Sequence, residues 1–439
     1  MTAFRFIHAA DLHLDTPFTG MSGLPDRLRR HLQESTFAAL GDLVDLAVSE
    51  SADFLVISGD VYDASDSSLR AQLRLKAAWD KLAQHGIPVY VIHGNHDPLS
   101  SSRLRLSYPP NVTVFGGSRP ESVTAVRRSD GVPVAVVSGI SYPTASVTEN
   151  TSLLFRRDPD SPLYHIAILH GNVDGQEGHD PYSPCSLRDL QNSGYDYWAL
   201  GHIHKRQILS QSPWVVYSGN LQGRSLKETG PKGCYLVDVS ENGEALLSFR
   251  ELDHVRWTEM DIPIEDLATE EAWKERVEEK LEEVRDLSTG KTGILRFTFT
   301  GRGPLHPILQ NGREVSELLM ELQRRETARM ENDPSLPLHA AVWPAGFKVK
   351  TGMDINRAQL AQEDSFLGEL LRLGDRAASV PDLREDLVLS ALSPLMEQRY
   401  LRGMMKSMDS AEMLDLLQRA QELASSLLSE EGPGGGNGT

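Results

Sequence analysis

The chain has 439 residues, 40% of them hydrophobic and 24% charged, with a formal net charge of −18. That length asks for two or three domains, and the composition is that of a soluble globular protein. No apolar run approaches the ~18 residues of a membrane span, no secretory-type leader precedes the first strand, and only Cys185 and Cys234 occur, which argues against a disulfide framework and fits a reducing cytoplasm.

In chain order, the first half alternates short apolar runs with amphipathic stretches. Residues 4–10, 54–58, 89–92, 134–138, 165–169 and 197–200 are continuous and rich in Val and Ile, as strands covered on both faces must be. Residues 26–50 and 67–85 place apolar side chains at three- and four-residue spacing and read as helices. Strands at 214–217, 233–239 and 246–250 follow without helices between them, which suggests an antiparallel portion. Near residue 250 the texture changes. Residues 264–286 read as a charged helix, 294–299 as a strand, 312–328 as a helix and 340–350 as extended chain. From 355 to about 429 the pattern is helical, and the glycine-rich tail is a flexible end. The expected organisation is a layered α/β sandwich of mixed sheets flanked by helices (1–250), a small α+β capping domain (251–352), a helical C-terminal segment (353–431) and a tail (432–439).

Five short motifs carry the chemistry: Asp11-Leu-His13, Gly59-Asp60-Val-Tyr-Asp63, Gly94-Asn95-His96-Asp97, His170-Gly171 and Gly201-His202-Ile-His204. Each follows a strand, and strand ends on an α/β scaffold converge on one face. Asp11, His13, Asp60, Asn95, His170, His202 and His204 together make poor packing and a good cage for two divalent cations. Their mixed oxygen and nitrogen donors suit Mn(II), Fe(II) or Zn(II) better than an all-oxygen calcium site. Asp60, at a strand end with both oxygens free, is placed to bridge the two ions. Gly59 and Gly94 let the backbone turn beside them. Paired cations acidify a shared water, while a leaving alkoxide needs a proton from an imidazole; His96 is the candidate for that second task. Asp15, Asp63 and Asp97 read as residues that orient ligands or cap turns, and His8, His93 and His165 as packed or supporting residues.

These residues resemble the calcineurin-like metallophosphoesterase superfamily. The motif at 94–97, the loop 170–175 with Tyr182-Ser-Pro184, Gly201–His204 and Tyr217–Arg224 are similar to bacterial SbcD-type DNA repair exonucleases. The resemblance implies one metal held by Asp11, His13, Asp60 and His204, a second held by Asp60, Asn95, His170 and His202, and His96 as the catalytic histidine. It also implies two Mn2+ ions (Fe2+, Zn2+ or Mg2+ being the alternatives), action on DNA ends, an SbcC-type coiled-coil ATPase partner and a possible homodimer. Asp63 stands where archaeal and eukaryotic relatives tend to carry histidine. It and Arg224 are candidates for substrate contact.

The competing expectation is a phosphatase or phosphodiesterase acting on small molecules or phosphoproteins, because a fold does not fix a substrate. Charge does not decide between them. Residues 1–250 balance at −5 and residues 251–439 at −13, from 22 Lys+Arg against 27 Asp+Glu and 22 against 35. The acid excess therefore lies mainly outside the motif-bearing half. Local basic clusters at Arg27/Arg29/Arg30, Arg103/Arg105, Arg127/Arg128, Lys205/Arg206 and Arg224/Lys227 could form a track. Ser288–Thr292 mimics the end of a phosphate-binding loop, but Arg285 occupies the position of the required first glycine, so it reads as a turn.

Overall fold

The structure is a computed structural model that describes all residues except 19–20, 22, 64–67, 102–105, 176–181, 289, 334, 336, 354–356, 395–407 and 431–439. The Arg103/Arg105 pair, Thr289 and the glycine-rich tail therefore lie outside the described residues.

Residues 1–251 form the layered sandwich that the pattern predicts. Its first sheet runs in the order β12 (Ala245–Glu251), β11 (Gly233–Val239), β1 (Phe4–Ala9), β2 (Phe54–Ser58), β3 (Val89–Ile92) and β4 (Val112–Val114). The second runs β5 (Glu121–Val126), β6 (Pro133–Gly139), β7 (Tyr164–His170), β8 (Tyr197–Gly201), β10 (Trp214–Tyr217) and β9 (Gln207–Gln211). Neighbours from β1 to β4 are parallel, as are β6, β7, β8 and β10, while β5, β9, β11 and β12 run antiparallel to their partners.

Strand alternation explains the layers. In β1 and β2, Phe4, Phe6, Phe54 and Val56 face the second sheet and meet Tyr164, Ile166, Ile168 and Tyr197. Ile7, Ala9, Leu55 and Ile57 face the other way, onto helices α1 (Asp26–Ser49) and α2 (Leu69–Gln84). Both faces are covered, so β2 is buried at all five positions and reads as an unbroken apolar run. The helices answer with Leu40, Leu43, Val44, Leu75, Trp79 and Leu82. Truncating Trp79, which is 1% exposed, to alanine would cost ~3–5 kcal/mol.

One expectation needs correcting. The strand at 214–217 is not part of an antiparallel run with 233–239. β9 folds back as a hairpin on β10, which inserts beside β8 in parallel, while β11 and β12 form an antiparallel pair at the edge of the other sheet. Sequence adjacency could not show that the chain changes sheets between 217 and 233.

The whole chain divides into two compact units: Met1–Met260 with Lys280–Arg296 and Glu321–Gly346, and Asp261–Glu279 with Phe297–Met320 and Phe347–Thr439. In the first, Leu28, Leu32, Trp257, Met330 and Trp343 share a cluster. In the second, Trp273 packs edge-on against Phe299, which in turn meets Phe347. Its helices at Phe366–Ser379, Pro381–Leu392 and Ser410–Glu430 pack on one another, and Gln421 donates to the Leu371 carbonyl. The charged helix expected at 264–286 begins later, at Glu270, after a turn at 264–269, and a strand at Val255–Pro263 precedes it.

Candidate metal centre

The C-terminal ends of β1, β2, β3, β7 and β8 open onto one place, and each delivers one of the five motifs. The backbone there is unusual. Asp11, His13, Asp60 and His202 have φ values of 51°, 42°, 49° and 94°, a region that costs L-residues ~1–2 kcal/mol each. Main-chain hydrogen bonds hold the loops against that cost: Asp11 N–H donates to Gly59 O at 3.1 Å and His13 N–H to Asp60 O at 3.0 Å. Gly59 has φ 93°, and a side chain at Gly94 would collide with Asp60 Oδ1 and the His170 ring.

Three overlapping groups result, each with its donor atoms within 4.8 Å of one another: Asp11, His13 and His204; Asp11, Asp60 and His170; His13, Asp60 and His96. Asp11, His13 and Asp60 each belong to two of them, so the three groups form one connected cluster. Asn95 joins through Oδ1, 3.0 Å from His170 Nε2. His202 lies at the margin: its N–H donates to both Asp11 oxygens at 3.1 and 3.2 Å, and its ring centroid is 5.3 Å from that of His170.

The donor set can be tested for its fit to cations. His170 Nδ1 lies 2.9 Å from the Ser58 carbonyl, which only accepts, so Nδ1 carries the proton. Nε2 then faces two further acceptors, Asn95 Oδ1 and, at 3.4 Å, Asp60 Oδ2, and calls for a positive charge there, a second proton or a metal ion. His204 Nδ1 likewise donates to Glu228 Oε1 at 2.8 Å, so its Nε2 lone pair points at His13 Nε2, 3.0 Å away. Acceptors converging on one point inside a protein repel unless a positive charge, a proton or a metal ion, sits between them. This is the signature of a site for cations, and the residues fit.

Electrostatics agree. Burial pushes the Asp60 carboxyl up, but His170, His13 and His96 outweigh it and hold it well below the ordinary carboxylate range. Burial disfavours a charge on His170, yet Asp60 and Asp11 raise it to about 9. Burial lowers His13 to about 3 and raises Asp11.

His96 belongs to one of these groups, and its ring centroid lies 4.9 Å from that of His13. Its N–H donates to Asp60 Oδ1 at 3.0 Å, and its Nδ1 donates to the Asp63 carbonyl at 2.7 Å, leaving Nε2 for chemistry. Asp97, fully buried, accepts from Gly94 N, Val61 N and His93 Nδ1, and so fixes the turn that carries Asn95 and His96. Asp15 accepts from Ser68, the N-cap of α2.

Asp63 and Arg224 are engaged with each other, and Arg224 also pairs with Glu228. Of the basic clusters, Arg127 and Arg128 lie away from the centre: Arg127 pairs with Asp130, and the Arg128 N–H donates to Asp53 just before β2 begins. Arg27 donates to the Met330 carbonyl, Arg29 pairs with Asp26, and Arg206 covers the Phe249 ring. Glu228 was not singled out from the sequence; its spacing of four from Arg224 is the only local signal.

Comparison with known proteins fits this geometry. Residues 4–206 match the calcineurin-like phosphoesterase family, and residues 257–352 match the middle domain of the metallophosphoesterase YhaO. A Bacillus subtilis (strain 168) protein described as an uncharacterized metallophosphoesterase, YhaO, is 38% identical over 388 residues, 88% of this chain and 90% of its own length. The chain belongs to the calcineurin-like metallophosphoesterases. More distant relatives are the DNA double-strand break repair proteins Mre11 of Thermoplasma acidophilum, 26% identical over 70% of this chain and 80% of that protein, and of Saccharolobus solfataricus, 26% identical over 54% and 61%. A metallophosphoesterase is a metal-dependent hydrolase, and in this one the divalent cations would be held by the cluster just described. No helix among the described residues is long and apolar enough to cross a membrane.

Proposed function

We propose that this metallophosphoesterase is an SbcD-type DNA nuclease that hydrolyses phosphodiester bonds at DNA ends with two divalent cations, Mn2+ foremost. The observation that carries the reading is the placement of His96: tied to Asp60 through its main chain and to the Asp63 carbonyl through Nδ1, it offers Nε2 beside the cation pocket. The similarity to two Mre11 proteins supports DNA as the substrate class.

Asp11, His13, Asp60 and His204 would hold one cation, and Asp60, Asn95, His170 and His202 the other. Two such ions supply positive charge against the phosphate oxygens and acidify water. The chain's own residues do the rest. The Asp60 carboxylate stays ionised, Ser58 and Glu228 fix the tautomers of His170 and His204, and His96 Nε2 gives a proton to, or donates a hydrogen bond to, the departing oxygen. A coiled-coil ATPase of the SbcC type would dock on the C-terminal helices, and truncation after residue 355 would abolish its co-purification.

The test is a nuclease assay with Mn2+ on end-labelled linear and circular DNA, wild type beside His96→Ala. Release of nucleotides from ends is expected, falling ~10²–10⁴-fold in the variant while metal content persists. Turnover of mononitrophenyl phosphate or cyclic nucleotides with no cleavage of any DNA end would replace this reading with a small-molecule phosphoesterase.

A further inference from the structure

Behind the metal centre lies a carboxylate that the ligand motifs do not include. Glu228 and its neighbours are largely buried, with side-chain exposures of 13% for Glu228, 16% for His204 and 18% for both Arg224 and Asp63. Every oxygen of Glu228 is used. Oε1 accepts the His204 Nδ1 proton at 2.8 Å and meets Arg224 Nη2 at 3.3 Å. Oε2 accepts from the Arg224 main-chain N at 2.7 Å and from Asn220 Nδ2 at 2.8 Å. The other arm of Arg224, Nη1, holds Asp63 Oδ1, which lies 3.2 Å from His13 Nδ1. The Asp63 carbonyl in turn holds His96. One carboxylate thus stands at the root of a chain of contacts reaching two rings of the cation pocket and the candidate proton donor.

We propose that Glu228 is a positioning residue of the metal centre: it aims His204 Nε2 into the pocket shared with Asp11 and His13, and it braces Arg224 against Asp63. The inference rests on the reading of that cluster as a metal site. Its physical basis is that an imidazole bound to a cation must carry its proton on the other nitrogen, and a carboxylate there fixes the tautomer, sets the ring plane and raises the basicity of the ligating atom. His204 has this arrangement through Glu228; His170 has the weaker form, through the Ser58 carbonyl. The difference predicts asymmetry. Loss of Glu228 acts on the ion at Asp11, His13 and His204 and spares the ion near Asn95 and His170. Lys232, whose Nζ donates to the His204 carbonyl at 2.8 Å, keeps the backbone of that ligand in place meanwhile.

The experiment uses the full chain, stripped with a chelator and titrated with Mn2+ by calorimetry, with Co2+ absorption as a second probe of ligand geometry. Wild type takes up two ions. Glu228→Ala is expected to bind one of them ~10–100-fold more weakly, to leave the other unchanged, and to alter only part of the Co2+ spectrum. Glu228→Gln keeps an oxygen for His204 but turns an amide N–H toward the donors on Arg224 and Asn220, so a smaller loss at the same ion is expected; it decides the matter should the alanine variant not fold. Folded variants that bind both ions as wild type does, or lose both equally, overturn the role of Glu228. Wild type that takes up fewer than two ions overturns the metal reading itself, and the proposal with it.

Discussion

Two buried histidines, His8 within β1 and His170 at the end of β7, obey opposite rules. His8, between the sheets, has a complement for each ring nitrogen: Tyr197 OH lies 3.0 Å from Nδ1, and the Leu200 carbonyl and Ser58 Oγ lie 3.3 and 3.2 Å from Nε2. Ser58 itself donates to the Ala199 carbonyl, so its oxygen is free to accept from His8. His170, at the rim, donates its Nδ1 proton to the main chain and turns Nε2 toward two more acceptors. The interior satisfies a neutral ring; the rim is a convergence of acceptors that calls for a positive charge. What separates a structural from a functional histidine here is therefore whether its partners include a donor or only further acceptors, since both rings are fully buried.

The largest effect expected at the rim comes from Asp60→Asn. Removing the strand-end carboxylate proposed to bridge should lower phosphodiester turnover by on the order of 10³-fold or more and reduce bound metal to one ion or none, measured by elemental analysis. A variant that retains both ions would show that Asp60 does not bridge.

Next is the pH dependence of metal uptake. His170 is raised to about 9 by Asp60 and Asp11 against the opposing effect of burial, so below that pH a proton must leave before a cation can bind. Affinity should climb about tenfold per pH unit from 7 to 9 and then level off. Calorimetry in buffers of different ionisation enthalpy should find one proton released at pH 7.5. A flat profile would contradict the assignment of His170 as a ligand.

The interior gives a smaller effect of the same sign, on stability rather than on metal uptake. Burial depresses His8 from 6.5 to about 3, so the unfolded chain takes up a proton below pH 6.5 that the folded chain refuses until about pH 3. Stability from a neutral His8 is complete above pH 6.5 and is lost as pH falls toward 3. Between pH 7.5 and pH 5 this amounts to ~2 kcal/mol, and denaturant midpoints of His8→Gln should fall less steeply over that range than those of wild type. Equal slopes would mean that His8 does not resist protonation.

The smallest effect tests strain away from the site. Ser51 also has a left-handed φ, 54°, with no ligand to justify it. Ser51→Gly should raise the unfolding free energy by up to about 1 kcal/mol, with metal uptake unchanged. A loss of stability would mean that the Ser51 side chain outweighs its backbone cost.

The layered α/β sandwich was legible because burial on both faces writes unbroken Val- and Ile-rich runs, and because α1 and α2 keep their apolar side chains at helical spacing. The motif residues stood out because Asp and His directly after such runs have no packing rationale. Edge strands were hidden: β5 (Glu121–Val126) and β9 (Gln207–Gln211) are half-exposed and polar, and Val255–Pro263 alternates apolar with polar and charged residues, without the continuous apolar run of the central strands. Glu228 escaped for a different reason. It lies in a stretch of turns with no period, where only three-dimensional contact distinguishes it from an ordinary surface acid.

The left-handed backbone at Asp11, His13 and Asp60 also restricts how the centre can be re-engineered. Bulky or β-branched replacements there would have to unwind the loops before offering a donor atom, so only aspartate, asparagine, histidine and glycine enter without rebuilding the main chain. Efforts to retune the preferred ion have freer ground at Asn95 and at the carboxylate behind His204, where the scaffold imposes no such filter.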